Sequence, residues 1–218
     1  FAFHRYRREL KARDGFLLVT LVWVMMSAAA SVPLMMAIPG LSFTDAYFEA
    51  MSGLTTTGST VLTGLDALPP SVNLWRSALH WFGGLGIIVL AVAVLPLLGV
   101  GGMQVYKAES PGPVKDEKLT PRITQTAKAL WLVYTGITAA GAIALHAAGM
   151  TWLDAICHAF SAIGLGGFST HDSGIGYYNS AAVEFVLILI MLIACMNFSR
   201  HFMAVQKLSF APYLRDTE

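Results

Sequence analysis

The chain has 218 residues, of which 56% are hydrophobic and only 12% are charged, and its mean hydropathy is +0.62. A soluble domain carries about 25% charged residues, so this composition excludes an ordinary soluble protein and indicates a membrane protein. The net charge of +1 gives no indication of nucleic-acid binding, and no nucleic-acid partner is predicted.

Four apolar segments have about the 20 residues that an α-helix needs to span a bilayer. They are residues 16–38, 74–98, 127–148 and 181–198. A shorter apolar stretch lies between the first two segments, and another lies between the last two. Gly83, Gly84 and Gly86 in the second segment predict close helix packing. We therefore predict an all-α polytopic membrane protein with two span–pore loop–span repeats, in which re-entrant half-helices carry the loops.

The basic residues predict the topology. All Lys and Arg residues except Arg76 lie within residues 1–13, 107–128 and 200–215. The positive-inside rule then places both termini and the central linker in the cytoplasm and the two short stretches on the outer side. An acidic mouth there would concentrate cations. Its candidate residues are Asp45, Glu49, Asp66, Asp154, Asp172 and Glu184, although Asp45 and Asp154 are better explained as helix caps.

The predicted organisation has five parts. They are a cytoplasmic basic segment (1–13), a first pore-loop repeat (14–100), a cytoplasmic linker (101–122), a second pore-loop repeat (123–205) and a cytoplasmic tail (206–218). The linker is rich in Gly, Pro and charge, as loops are. Cys157 and Cys195 fall in apolar helical stretches, so we expect buried, inert thiols rather than a disulfide.

The two short stretches align at an offset of 109 residues. Residues 42–58 and 151–167 share Asp, Ala, Ala, Ser and Gly at matching positions. Each opens with a hydroxyl residue followed three positions later by Asp, which is a helix-capping pattern. A helix of about 11 residues would extend about 16 Å, which is about half the hydrocarbon thickness of a bilayer. Each helix should therefore enter from outside and end near the middle of the membrane.

The residues after each short helix do not favour helix. They read Thr-Thr-Thr-Gly-Ser-Thr from Thr55 and Gly-Leu-Gly-Gly-Phe-Ser-Thr from Gly164. Non-helical backbone at membrane depth is tolerated where it is buried in protein or lines a wet cavity. A row of carbonyl oxygens can replace the hydration shell of a monovalent cation. We favour such a filter over the alternative of two ordinary outer loops with glycine turns.

The segments 55–66 and 163–172 resemble the first and second filter loops of TrkH-type potassium uptake proteins, in the Trk/Ktr/HKT superfamily. The stretches that begin at Arg13, Gly99, Pro111 and Asp154 also resemble that family. The resemblance implies potassium uptake through a carbonyl-lined filter made by four pore repeats, with no cofactor besides the transported K⁺. It implies that K⁺ is coordinated by the carbonyls of Thr56, Thr57, Leu165 and Gly166. The filter glycines would be Gly58 and Gly167, with Ser59 and Phe168 just outside.

The resemblance also implies partners. Two repeats cannot surround an ion alone, so the remaining two must come from a missing half of the chain or from a second copy. Because the sequence begins with Phe1 rather than Met, we expect a fragment. A homodimer and a cytoplasmic nucleotide-binding regulatory subunit are implied as partners, in the bacterial inner membrane. The basic segments would fit membrane lipid head groups equally well.

Two other functions are alternatives to ion transport. A membrane-embedded hydrolase would need a serine with a convergent histidine, and Ser52 or Ser161 with His80 is the available choice. We expect packing roles for these serines and for His80 and His158, and no enzyme activity. A purely structural membrane subunit explains the hydropathy but not the duplicated cap, helix and glycine pattern. The histidines show no metal-ligand spacing.

Overall fold

The computed structural model describes residues 12–89, 119–207 and 209. This part of the chain contains seven α-helices, two short 3-10 turns and no β-strand. The helices are α1 (Ala12–Ala37), α2 (Phe43–Leu54), α3 (Pro70–Val89), α4 (Leu119–Ala147), α5 (Trp152–Ile163), α6 (Ala181–Cys195) and α7 (Phe198–Lys207). The 3-10 turns are Leu65–Ala67 and Gly174–Tyr178. The all-α prediction is confirmed.

The helices form two three-helix groups, each built around a short helix. In the first group α1 and α3 enclose α2, and in the second α4 and α6 enclose α5. Their cores are apolar and contain small residues. Ala46 and Ala50 of α2 and Ala155 and Ala159 of α5 are all fully buried. Small residues let helix backbones approach closely, which is how helices pack in membranes.

A third apolar cluster joins the two groups. It contains Leu85 of α3, Tyr134 of α4, Ile163 of α5 and Phe198 of α7. Helix α3 therefore belongs to both groups, since it packs against α2 on one side and against α5 on the other. This shared position of α3 determines how the two loops that follow α2 and α5 are held.

The glycines of α3 explain this close packing. A Cβ atom on Gly83 would lie 2.0 Å from the Leu54 carbonyl oxygen at the end of α2. A Cβ atom on Gly84 would lie 3.0 Å from Gly164 Cα at the end of α5. The predicted role of these two glycines in helix packing is confirmed. Gly86 is less restricted, because its nearest neighbour, the Trp23 ring, is 3.6 Å away.

Helix α1 exposes a large apolar surface. Its outward side chains include Leu17 and Met25, which are more than half exposed, and Met36, which is 83% exposed. A contiguous apolar surface of this kind needs an apolar partner or a lipid environment. Two helical segments, Arg13–Ala37 and Ala127–Ala147, are long and apolar enough to cross a membrane by length and composition.

The fourth predicted span is divided, which differs from the single helix expected over 181–198. Helix α6 ends at Cys195, Met196 is extended (φ −75°, ψ 152°), and α7 begins at Phe198. Asn197 precedes α7, and Asn is favoured immediately before a helix. His201 Nε2 lies 2.9 Å from the Ile193 carbonyl oxygen, which also accepts a hydrogen bond from the Met196 backbone N–H. Apolar periodicity cannot reveal such a break.

Other predictions have mixed outcomes. Both cysteines are free, but Cys195 is exposed, so its predicted burial is wrong, whereas Cys157 is buried. Helix α4 begins at Leu119, inside the predicted linker. The predictions for residues 1–11, for the second span beyond Val89, for most of the linker and for nearly all of the tail lie outside the described residues.

Candidate functional site

The two short helices begin with the predicted caps. Ser42 Oγ accepts a hydrogen bond from the Asp45 backbone N–H (3.1 Å) and donates to the Asp45 carboxylate (2.8 Å). Thr151 Oγ1 makes the same two contacts with Asp154, at 3.2 and 2.7 Å. Both helices then run for 12 residues, or about 18 Å. The capping prediction is confirmed at both helices.

The backbone after each short helix follows the same path. We call residues 55–61 the first loop and residues 164–170 the second loop. Positive φ angles occur at Thr56 (53°) and Gly58 (75°) in the first loop and at Leu165 (55°) and Gly167 (94°) in the second. These pairs are again 109 residues apart. Left-handed backbone is unfavourable for a non-glycine residue and is found where the surrounding structure imposes it, often at functional sites.

The two loops meet at Gly58. A Cβ atom there would lie 1.8 Å from the Gly166 carbonyl oxygen, so only glycine fits. Gly167 has open space around its Cα, and there only its positive φ favours glycine. Thr57, Ser59 and Leu165 are exposed, whereas Phe168 is buried. The structure therefore brings the predicted site residues of the two loops together at the ends of α2 and α5.

A polar anchor that the sequence reasoning missed holds each loop to its own short helix. The Thr60 hydroxyl donates to the Glu49 carboxylate (2.9 Å) and accepts from the Leu62 backbone N–H (3.1 Å). Ser169 of the second loop makes the equivalent contact with its own short helix, because its hydroxyl lies 3.0 Å from His158 Nε2. The pairs Glu49–Thr60 and His158–Ser169 are also related by the offset of 109. Comparing polar residues across the offset, rather than identical ones, would have found them.

Arg76 of α3 lies behind both loops and is completely buried. Its Nε donates to Glu49 at 2.6 Å, and its other nitrogens donate to Thr60 Oγ1 (3.2 Å) and the Ser169 carbonyl oxygen (3.2 Å). The prediction that Glu49 belongs to an acidic mouth is therefore wrong, because its carboxylate is fully buried and paired. A buried carboxylate needs such a partner, but a single sequence does not identify it.

His80, which lies one helical turn after Arg76 on α3, supports the second loop. Its ring stacks on Phe168 with the centroids 4.1 Å apart, and its Nδ1 lies 3.1 Å from Ser161 Oγ. The same Ser161 oxygen accepts a hydrogen bond from the Gly167 N–H at 3.0 Å. His158 is likewise hydrogen-bonded through both ring nitrogens. The expected packing roles of His80, His158 and Ser161 fit these contacts.

The segments that follow the two loops are joined by carboxylates. Asp66 accepts hydrogen bonds from the His171 ring and from the Asp172 backbone N–H, and Asp172 accepts from the Leu65 N–H. The His171 hydrogen bond is the main reason why the pKa of the Asp66 carboxyl lies below its usual value. Asp45, Asp66, Asp172 and Glu184 are exposed, whereas Asp154 is buried, with its carboxylate accepting from Thr170 at 2.7 Å.

Within the described residues, no group of three or more His, Cys, Asp and Glu side chains is placed to hold a metal ion. The polar groups that the loops offer at their meeting point are backbone carbonyls and hydroxyls. Oxygen ligands of this kind suit a hard cation that sheds its hydration shell.

Comparison with known proteins shows the family of the chain. Residues 1–215 match the TrkH family, described as "Cation transport protein". The "Trk system potassium uptake protein TrkH" of Vibrio parahaemolyticus is 54% identical over 217 residues, which cover 98% of this chain and 45% of that protein. The protein of the same name from Escherichia coli K12 is 52% identical over 211 residues, covering 96% and 44%.

A solved structure is also similar. The crystal structure of the potassium transporter TrkH from Vibrio parahaemolyticus matches with a TM-score of 0.83 and 47% identity, over 98% of this chain and 43% of that one. The fold and these matches define a helical membrane protein that is similar to a family of cation transport proteins. The chain belongs to the TrkH family. It spans about half the length of the curated relatives that it matches.

Proposed function

We propose that the chain contributes the first half of a potassium uptake pathway, with its two loops forming part of a selectivity filter. The observation that carries this proposal is the contact of two loops of matching backbone at Gly58 and Gly166, where two capped short helices end. Relatives that are 52–54% identical over nearly this whole chain are named potassium uptake proteins.

The proposed chemistry is replacement of the hydration shell by backbone oxygens. A cation at the loops is favoured by the carboxyl ends of α2 and α5, because aligned peptide dipoles give the carboxyl end of a helix a partial negative charge. The proposed coordinating carbonyls are those of Thr56, Thr57, Leu165 and Gly166, flanked by Gly58, Ser59, Gly167 and Phe168. No cofactor is proposed, because desolvation and passage of an ion need none.

We propose that the chain is a multi-pass protein of the bacterial inner membrane, with the loops facing outward and both termini in the cytoplasm. The supporting observation is the charge distribution, since Arg76 is the one basic residue outside the three basic stretches and is neutralised by Glu49. The proposed repeats are residues 14–100 and 123–205, with residues 1–13, 101–122 and 206–218 cytoplasmic.

We propose that two further pore repeats complete the filter, because the described loops contribute two strands and K⁺ filters use four. The greater length of the relatives leaves room for those repeats. A homodimer, a cytoplasmic nucleotide-binding regulatory subunit and membrane lipid are the proposed partners. The words "Trk system" in the relatives' names are consistent with a protein partner.

We propose transport rather than hydrolysis. The structure does bring His80 to Ser161, as a hydrolase would require, but both residues are at most 3% exposed. The Ser161 oxygen is engaged by the Gly167 N–H, and His80 Nε2 has no hydrogen-bond partner to orient it as a base. Ser52 is buried and has no hydrogen bond from its hydroxyl. A purely structural subunit leaves the matched loops unexplained.

The proposal predicts the result of a Gly167→Ser substitution in the complete transporter, meaning this chain with the repeats proposed above. The new side chain has open space, but at φ 94° it would disturb the path of the loop. We expect the Rb⁺ over Na⁺ uptake ratio to fall by about tenfold, which corresponds to about 1.4 kcal/mol of differential binding. Isotope uptake into cells that lack other potassium transporters measures this ratio.

Gly174→Ser is the matched control, because Gly174 also has a positive φ (61°) and open space but lies outside both loops. We expect its uptake ratio to equal that of the wild type. An unchanged ratio in a well-folded Gly167→Ser protein would contradict the filter assignment.

A further inference from the structure

We infer that Arg76 is a positioning residue for ion selectivity, which fixes the second loop against the first while Glu49 neutralises its charge. The inference rests on the proposed filter function and concerns a residue outside the coordinating loops. Arg76 lies on α3, within the predicted second span, where a charged side chain is costly unless it is paired and where it is a functional candidate by default.

Among the described residues of α3, Arg76 is the one whose side chain hydrogen-bonds to both loops and to the short helix α2. Arg76 donates a hydrogen bond to the carbonyl oxygen of Ser169, which is the residue immediately after Phe168, the last proposed filter residue. Arg76 also donates to the hydroxyl of Thr60, which is the residue immediately after Ser59, the corresponding residue of the first loop. The guanidinium therefore fixes equivalent ends of the two filter strands.

The neighbours of Arg76 leave it little freedom. Its guanidinium carbon lies 4.3 Å from the centroid of the Phe168 ring, and the ring of His80 is stacked on the same phenylalanine. Asn73, one turn earlier on α3, accepts from Arg76 at 3.3 Å and donates to the Leu65 carbonyl at 3.0 Å. A planar, rigid guanidinium can satisfy several acceptors at fixed angles, whereas a lysine ammonium acts as a single point charge.

The charge balance is as important as the geometry. An uncompensated guanidinium beside the filter carbonyls would oppose the entry of a cation, and Glu49, at 2.6 Å, cancels this charge. Removing only one partner leaves a buried charge unpaired, while removing both restores neutrality but loses the support of the loops. The variants of this pair therefore separate electrostatics from positioning.

The decisive variant is Arg76→Lys in the complete transporter. It keeps the positive charge and can keep the contact with Glu49, but one ammonium cannot also hold Thr60 and Ser169 at their present positions. We expect folded yield within about twofold of the wild type and an Rb⁺ over Na⁺ uptake ratio lowered by about tenfold. Arg13→Lys is the matched control, since Arg13 is exposed at the start of α1, and should leave both quantities unchanged.

The second variant, Glu49→Gln/Arg76→Gln, keeps the test decisive if the lysine variant does not fold. We expect the double variant to give more folded protein than either single variant, because no buried charge remains unpaired. Its uptake ratio should also be reduced, since the loops lose their common support. A merely structural arginine would change the folded yield and not the ratio among folded molecules.

The outcomes separate this inference from the function on which it rests. A wild-type uptake ratio in folded Arg76→Lys or in the folded double variant overturns the positioning role. If Gly167→Ser lowers the ratio while the Arg76 variants do not, the filter assignment stands and only the role of Arg76 is refuted. If Gly167→Ser also leaves the ratio unchanged, the filter assignment and this inference fail together.

Discussion

Gly58→Ala is expected to abolish selective potassium uptake by the complete transporter. The new Cβ atom would lie 1.8 Å from the Gly166 carbonyl oxygen, one of the four oxygens proposed to coordinate the ion. Backbone atoms must then move, and the left-handed φ of 75° adds about 1–2 kcal/mol of strain for a residue with a side chain. We expect Rb⁺ uptake to fall by more than about tenfold, given that each ~1.4 kcal/mol is a factor of ten.

Gly64→Ala provides the control for backbone strain. Gly64 has nearly the same φ (70°), but no atom lies within 4 Å of a Cβ added there. We expect this variant to retain most of its Rb⁺ uptake, measured as the initial rate per folded molecule. Equal uptake by the two alanine variants would show that the contact between Gly58 and Gly166 does not matter for transport.

Gly83→Ala is expected to have the largest effect on stability. Its Cβ atom would lie 2.0 Å from the Leu54 carbonyl oxygen, so α3 would have to separate from the end of α2. Overpacking of this kind costs typically about 1–3 kcal/mol, and more when the obstructing atom belongs to the backbone. The thermal unfolding midpoint in detergent and the monodisperse fraction should both fall.

Gly86→Ala is the matched substitution on the same helix. Its new methyl group would make an ordinary contact of 3.6 Å with the Trp23 ring. Replacing a helical glycine by alanine favours the helix by about 1 kcal/mol. We expect an unchanged or higher unfolding midpoint. A lower midpoint for Gly86→Ala than for Gly83→Ala would contradict this account of helix packing.

Local features of the site could be predicted from the sequence because local residues determine them. The caps at Ser42 and Thr151 depend on hydroxyl and carboxylate groups three residues apart, and they form as expected. The glycines at 58 and 167 both adopt positive φ. The internal offset of 109 residues therefore located both short helices and both loops.

Features that depend on distant residues could not be predicted. Glu49 and Arg76 are 27 positions apart, and composition alone made the glutamate look like part of an exposed acidic surface. Thr56 and Leu165 have positive φ without being glycine, which propensity does not suggest. At the division between α6 and α7, His201 reaches the Ile193 carbonyl oxygen, a contact that apolar periodicity does not encode.

The shared position of α3 has a mechanical consequence. Arg76 bonds both loops to this helix, and Gly83 and Gly84 seat it against the ends of both short helices. Displacing one loop alone would break its hydrogen bond to the buried Arg76 guanidinium. The two loops are therefore expected to shift together. A force applied along α3 would reach both loops at once and would not distort only one of them.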